Sequence, residues 1–260
     1  MSTLDAIVLG LVQGLTEFLP VSSKAHLAIL EHFWKLPQAT RLPLTTMLHV
    51  GTAVAMIVYF GPRLARIAAG CFASEPQCRG ENWRLVGFIA LGTAPVAVAG
   101  VLLQHQVDAV FASPVVGGAM LIVTGLLLFG TRFAKDESKP LGWVRVLLIG
   151  VAQVAALLPG VSRSGVTIST ATYLGLKRDV AFEFSFLMAI PAILGAAAVE
   201  LRKTDLSVLH PSAIAIGMAV SFVSGLAALW LLRRAVAGRK LYLFAFYCWF
   251  AGLGVLAFVR

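Results

Sequence analysis

The chain has 260 residues, 59% of them hydrophobic and only 13% charged, with a mean hydropathy of +0.88. A soluble domain carries about 25% charged residues, so this composition excludes a water-soluble globule and leaves lipid as the place for the surplus apolar side chains. The net charge of +9 would raise nucleic-acid binding if the bases gathered on one face. They are instead scattered in short connections between apolar runs, which excludes that class and suits the basic loops of a membrane protein.

In chain order, the first apolar segment, 4–30, carries Glu17, Pro20, Ser22, Ser23, Lys24 and His26 in its middle. It reads as a broken, re-entrant hairpin, because non-helical backbone at membrane depth survives only when buried in protein or lining a cavity. Uninterrupted stretches long enough to cross the hydrocarbon follow at 42–60, 85–103 and 110–130, with Pro114 in the first turn of the third, where a missing N–H is tolerated. A second broken hairpin at 144–175 holds Pro159-Gly160 and Ser162-Arg163-Ser164-Gly165, and spans at 182–200, 212–232 and 241–259 complete the chain. The predicted fold class is an all-α integral membrane protein with about six transmembrane helices plus two re-entrant helical hairpins.

The connections 61–84, 131–143, 171–181 and 233–240, with Arg145 just beyond the second, hold 14 of the 21 Lys and Arg residues. Lys24, Lys35, Arg41, Arg202, Lys203 and Arg260 fall on the opposite side, so both termini are expected outside. Glu75, Glu81, Asp108, Asp136, Glu137 and Asp205 read as solvated charges of the connections. Cys71, Cys78 and Cys248 are odd in number and lack paired spacing, which argues against a zinc site or a disulfide framework. Asp5 and Glu17 without a basic N-terminal region argue against a cleaved signal peptide.

The halves 1–130 and 144–260 echo each other. Gly10-Leu11-Val12-Gln13 matches Gly150-Val151-Ala152-Gln153, Leu19-Pro20 matches Leu158-Pro159, and Val21-Ser22 matches Val161-Ser162. One hairpin and an odd number of spans per half predict an inverted repeat joined by a cytoplasmic loop at 131–143, an arrangement also used by transporters.

An ionisable residue inside an apolar segment is expensive, which makes Glu17 the first functional candidate. Gln13 precedes it by four residues on the same helix face. Pro20 breaks that helix, Ser22 and Ser23 are placed to cap the next, and Ser23 and His26 share a face at i, i+3. In the second hairpin, Ser162, Arg163, Ser164 and Gly165 open a helix whose N–H groups, hydroxyls and guanidinium together suit a phosphate. His49 is a weaker candidate within the first span, and Glu183, opening a span after a basic connection, is expected to be structural.

Gln13-x-x-x-Glu17-Phe18-Leu19-Pro20-Val21-Ser22-Ser23-x-Ala25-His26 resembles the signature of the undecaprenyl pyrophosphate phosphatases, the bacitracin-resistance family. Pro159-Gly160-Val161-Ser162-Arg163-Ser164-Gly165 is similar to that family's second motif, and Glu183-Phe184-Ser185-Phe186-Leu187 and His49-Val50-Gly51-Thr52 to two shorter ones. The resemblance implies removal of the terminal phosphate of undecaprenyl pyrophosphate, with Glu17, Ser23, His26 and Arg163 catalytic. Gln13, Ser22, Lys24, Ser162, Ser164 and Gly165 would contact substrate. Gln13 stands where the family often has Glu, and Lys24 where it has a small hydroxyl residue.

Glu17 would either hold a divalent cation, Mg2+ or Ca2+, or orient a water; Ser23 would be a nucleophile activated by His26 or a phosphate ligand. The implied partners are the polyprenyl diphosphate and membrane lipids, with a homodimer left open. The implied location is the bacterial inner membrane with the site towards the periplasm. The alternatives are an inverted-repeat transporter or flippase of an anionic lipid, and the PAP2 lipid phosphatases. The latter need a second His where this chain has Ser169.

Overall fold

A computed structural model describes residues 3–34, 38–103, 114–135, 137–205 and 210–258. The described residues form helices joined by short connections, with no strand beyond an isolated bridge between Lys139 and Leu176. In chain order the helices are α1 (Thr3–Phe18), α2 (Ser23–Trp34), α3 (Gln38–Cys71), α4 (Pro76–Leu102) and α5 (Pro114–Gly130). They continue with α6 (Trp143–Val154), a 3₁₀ turn (Ala155–Leu157), α7 (Arg163–Tyr173), α8 (Arg178–Lys203), α9 (Pro211–Ala237) and α10 (Leu243–Phe258). Four of them, α3, α4, α8 and α9, are long and apolar enough to cross a membrane. The shorter apolar α5 and α10, of 17 and 16 residues, reach about 25 Å. The expected spans fall on α3, α4, α5, α8, α9 and α10, with 110–113 and 259 outside the described residues, and the chain is a multi-pass membrane protein. Lys35, Asp108, Asp136 and Arg260 lie outside the described residues, as do the side chains of Arg41 and Lys203.

The basic connections are shorter than expected. α3 continues through Pro62 to Cys71 and α4 begins at Pro76, so Arg63, Arg66, Arg79, Glu81 and Arg84 sit on helix ends rather than in a loop. Likewise α9 carries Arg233 and Arg234 on its last turns. Hydropathy marks where side chains stop being apolar; backbone hydrogen bonding carries the helix further.

Small residues decide which helices meet. Apolar surface gives no preference between helix and lipid, so close backbone approach and dispersion dominate. α1 lies against α9, with Gly10 on Gly217 and Gly14 on Ser221, Ser224 and Gly225. α6 lies against α4 through Gly150 on Gly92, and α5 against α10 through Gly118 on Gly252. Beside these contacts, phenylalanines from separate sequence regions form one apolar core. Phe186 of α8 meets Phe18 edge-on at 5.9 Å and stacks with Phe60 at 5.6 Å. Phe182 adds a third contact at 4.9 Å.

A Cβ at Gly14 would lie 1.9 Å from the Ser224 Oγ and 2.5 Å from the Ser221 carbonyl oxygen, whereas one at Gly254 would meet nothing within 4 Å. Gly14→Ala is expected to lower the melting midpoint in detergent by an overpacking penalty of about 1–3 kcal/mol, with Gly254→Ala close to wild type. Equal midpoints for the two variants would refute the close α1–α9 approach.

Candidate functional site

Both hairpins are broken where the chain has no helical option. α1 ends at Phe18, ahead of Pro20, and the Val21 N–H bonds the Leu19 carbonyl at 2.8 Å. Ser22 then adopts φ 65°, a left-handed conformation that costs a non-glycine residue energy and persists only where its surroundings enforce it. It therefore holds the cap position of α2, its carbonyl accepting the His26 N–H at 3.4 Å, but as a strained left-handed corner instead of the extended conformation usual for a cap. In the second hairpin Gly160 takes the corner with φ +88°, and a Cβ there would strike the Gly117 carbonyl at 2.2 Å. Thr124 of α5 pins this corner, donating to the Gly160 carbonyl at 2.8 Å and accepting from the Ser162 N–H at 3.2 Å. Ser162 is an extended N-cap of α7 and accepts the Gly165 N–H.

The two corners touch. A Cβ at Gly165 would stand 3.3 Å from Pro20, and the Cys248 thiol donates to the Pro20 carbonyl at 3.4 Å. Across this junction lies a buried polar cluster centred on Glu17, whose side chain is 8% exposed. Arg163 Nη2, from the first residue of α7, donates to Glu17 Oε1 at 2.6 Å. Ser23 Oγ donates to Glu17 Oε2 at 2.7 Å, and Gln13 Nε2 donates to the same oxygen at 3.2 Å. His49 Nε2 stands 3.6 Å from it, while its Nδ1 donates to the Thr45 carbonyl at 2.8 Å. Residues 13, 17, 23, 49 and 163 thus converge from four helices on one carboxylate.

His26 is oriented differently from expectation. Its Nδ1 is 2.8 Å from the Ser22 carbonyl, which only accepts, so that nitrogen carries the proton in the neutral ring. Its Nε2 is then an acceptor for the Tyr247 hydroxyl at 2.7 Å, and the two rings stack at 5.6 Å. Ser23 is therefore held by Glu17 and not by His26. Tyr247 was not legible as a site residue; it lies in an uninterrupted apolar span, and only folding brings it to His26.

Ser162 and Ser164 are buried with hydroxyls 3.2 Å apart at the start of α7, beside the Glu17 cluster rather than hydrogen-bonded to it. Lys24 is exposed in the first turn of α2. Glu183 belongs elsewhere, accepting from Arg63 Nε at 2.6 Å on a half-exposed edge between α3 and α8. The Gln13 Oε1 is buried with no hydrogen-bond partner among the described residues, as are both amide atoms of Gln153, its counterpart in the second hairpin. Among the described residues no group of three or more His, Cys, Asp or Glu gathers for a metal. The Glu17 carboxylate, the orphaned Gln13 Oε1 and the Ser23 Oγ are nonetheless an all-oxygen set, suited to a hard cation that completes its shell with phosphate oxygens.

Breaking a buried ion pair on one side strands the other charge. Glu17→Gln is expected to lower stability by about 3 kcal/mol, read as the melting midpoint in detergent, and Glu17→Gln with Arg163→Met to recover part of it. An unchanged midpoint in Glu17→Gln would show that the pair does not hold the hairpins together.

The family profile described as "Bacitracin resistance protein BacA" matches residues 6–254. A protein of Desulfatibacillum aliphaticivorans named undecaprenyl-diphosphatase is 39% identical, covering 98% of each chain. Proteins of that name from Korarchaeum cryptofilum and Geobacter sulfurreducens are 37% and 38% identical, covering 99% and 100% of this chain and 99% of each relative.

Proposed function

The chain belongs to the bacitracin resistance protein BacA family, and from that premise we propose that it is an undecaprenyl-diphosphatase. It hydrolyses the terminal phosphate of undecaprenyl pyrophosphate, returning the monophosphate carrier to peptidoglycan synthesis and conferring bacitracin resistance. A transporter or flippase of an anionic lipid is not favoured, since the relatives carry a phosphatase's name.

The observation that carries the chemistry is the Ser23–Glu17–Arg163 chain, which joins a hydroxyl, a base and a guanidinium across the two hairpins. Phosphoryl transfer is mostly positioning and charge stabilisation. Arg163 and the N–H groups opening α7 bind the diphosphate oxygens. Glu17 takes the proton of Ser23 Oγ, which attacks the terminal phosphorus; the bond to the bridging oxygen breaks and undecaprenyl phosphate leaves. Water then cleaves the phosphoserine, releasing inorganic phosphate and returning the proton to Ser23. His26 Nε2 exchanges its Tyr247 hydrogen bond for the water, accepts the proton that the water loses on attack and passes it to the departing phosphate. Glu17, Gln13 and Ser23 would hold a divalent cation, Mg2+ or Ca2+, which supplies charge neutralisation for the phosphates.

Purified protein in detergent, where no second compartment exists, is expected to release phosphate from undecaprenyl pyrophosphate. Arg163→Lys, which keeps the charge but loses the two-pronged fork, should cut turnover by 100-fold or more. Gln13→Glu should lower the cation concentration for half-maximal rate, and excess chelator should stop turnover. Absence of phosphate release from the wild type sinks the reading; full activity in chelator removes the cation alone.

The site opens towards the periplasm of the bacterial inner membrane, with halves 1–130 and 144–260 as an inverted repeat. Supporting this are the basic helix ends on one face and the reciprocal pairing of α1 with α9 and α6 with α4. The orientation is tested with Ser74→Cys, between α3 and α4, and Arg202→Cys, at the corresponding end of α8, after Cys71, Cys78 and Cys248 are replaced. An impermeant thiol reagent should label position 202 in intact spheroplasts and position 74 only after lysis. Labelling of both from one side would overturn the inversion.

A further inference from the structure

A second polar feature lies on the face carrying the basic helix ends. An open groove of about 600 Å³ is lined by Lys139, Gly142, Trp143, Val144, Arg145, Leu148, Tyr173 and Leu174. The connection between α5 and α6 forms its upper rim. That connection is tied down, since the Lys139 N–H donates to the Gly175 carbonyl at 3.0 Å and Arg145 Nη1 donates to the Pro140 carbonyl at 3.0 Å. Gly175 has φ +81°, and a Cβ there would press on Glu137 and Lys139. The rim is therefore a built feature in which two cations are presented beside the first turn of α6, whose cap residue Gly142 brings no side chain to those N–H groups.

The wall below the rim is apolar. Val144, Leu148 and Val151 are 72%, 45% and 54% exposed and recur at i, i+4 and i+7, a continuous stripe down α6. Trp143 and Tyr173, both half-exposed, flank the boundary between cations and stripe, where amphipathic rings sit at the headgroup level. Trp143 is fixed edge-on to Phe88 at 4.6 Å, and the Tyr173 hydroxyl donates to the Leu127 carbonyl.

Cations above, aromatic rings at the boundary and an apolar track beneath match one kind of molecule in shape and charge. We propose that this groove binds an anionic glycerophospholipid of the adjoining leaflet, its phosphodiester between Lys139 and Arg145 and one acyl chain along Val144, Leu148 and Val151. Basic pockets between membrane helices recognise anionic headgroups in this way. The groove is separate from the Glu17 cluster and shares no residue with it. Glu137 competes with the headgroup, since its carboxylate is ion-paired to the Lys139 ammonium. Lys139, Lys135 and Arg145 together hold that carboxyl below the usual range, so it stays charged at neutral pH.

The test is native mass spectrometry of the full chain in detergent, titrated with phosphatidylglycerol or phosphatidylcholine. The wild type is expected to retain phosphatidylglycerol in preference, and Lys139→Ala with Arg145→Ala to weaken that retention roughly tenfold or more. Glu137→Gln, which frees Lys139, should strengthen it. Arg66→Ala with Arg79→Ala, equal in charge lost but on the ends of α3 and α4, should leave it unchanged, and phosphate release by all variants reports that they fold. Equal retention of both lipids by the wild type, unaltered retention in the Lys139/Arg145 variant, or equal loss in the Arg66/Arg79 variant would each overturn the site.

Discussion

A carboxylate buried in an apolar protein is the constraint from which the rest follows. Ionised Glu17, 8% exposed, would be stranded at a cost of several kcal/mol without compensation. Compensation arrives as a guanidinium at 2.6 Å, a hydroxyl at 2.7 Å and an amide at 3.2 Å. The first of these comes from residue 163, so satisfying Glu17 requires the two hairpins to meet. Charge-assisted hydrogen bonds of this length contribute about 1.5–3 kcal/mol each, enough to hold a junction whose backbone is strained at Ser22.

Meeting at one point requires that each hairpin be held from outside. Glycines do this by letting backbones approach more closely than any side chain would allow: Gly14 against Ser221 and Ser224, Gly150 against Gly92, and Gly165 against Pro20. The aromatic core of Phe18, Phe60, Phe182 and Phe186 then packs α1, α3 and α8 against one another. Electrostatics in such a medium are strong, so the Arg163–Glu17 contact at 2.6 Å weighs heavily on how the two hairpins sit.

The same physics treats the two polar regions differently. In the Glu17 cluster, donors are buried and aimed at one atom group, giving a site of fixed geometry. Along the rim at Lys139 and Arg145 the cations are half solvated, and the acid that pairs with Lys139 is half exposed as well. Screening there favours a loosely held, exchangeable headgroup over chemistry.

Sequence by itself determined the solvent of this protein, the number of its apolar spans, the position of both hairpin breaks and the identity of Glu17, Ser23 and Arg163 as unusual residues. These are consequences of local composition: apolar run length, proline and glycine punctuation, and charge where charge is costly. The ends of the helices escaped it, because Arg63 and Arg66 on α3 and Arg79 and Arg84 on α4 lie in turns continued by backbone hydrogen bonds that hydropathy does not register. So did the hydrogen-bond partner of Ser23, which helical spacing left open between His26 and a phosphate and which folding makes Glu17, across the Pro20 break. Tyr247 and Thr124 were also invisible, being ordinary residues of apolar spans until tertiary packing set them against His26 and Gly160. Spacing along a helix decides which side chains share a face; only the approach of distant helices decides which atom receives the proton.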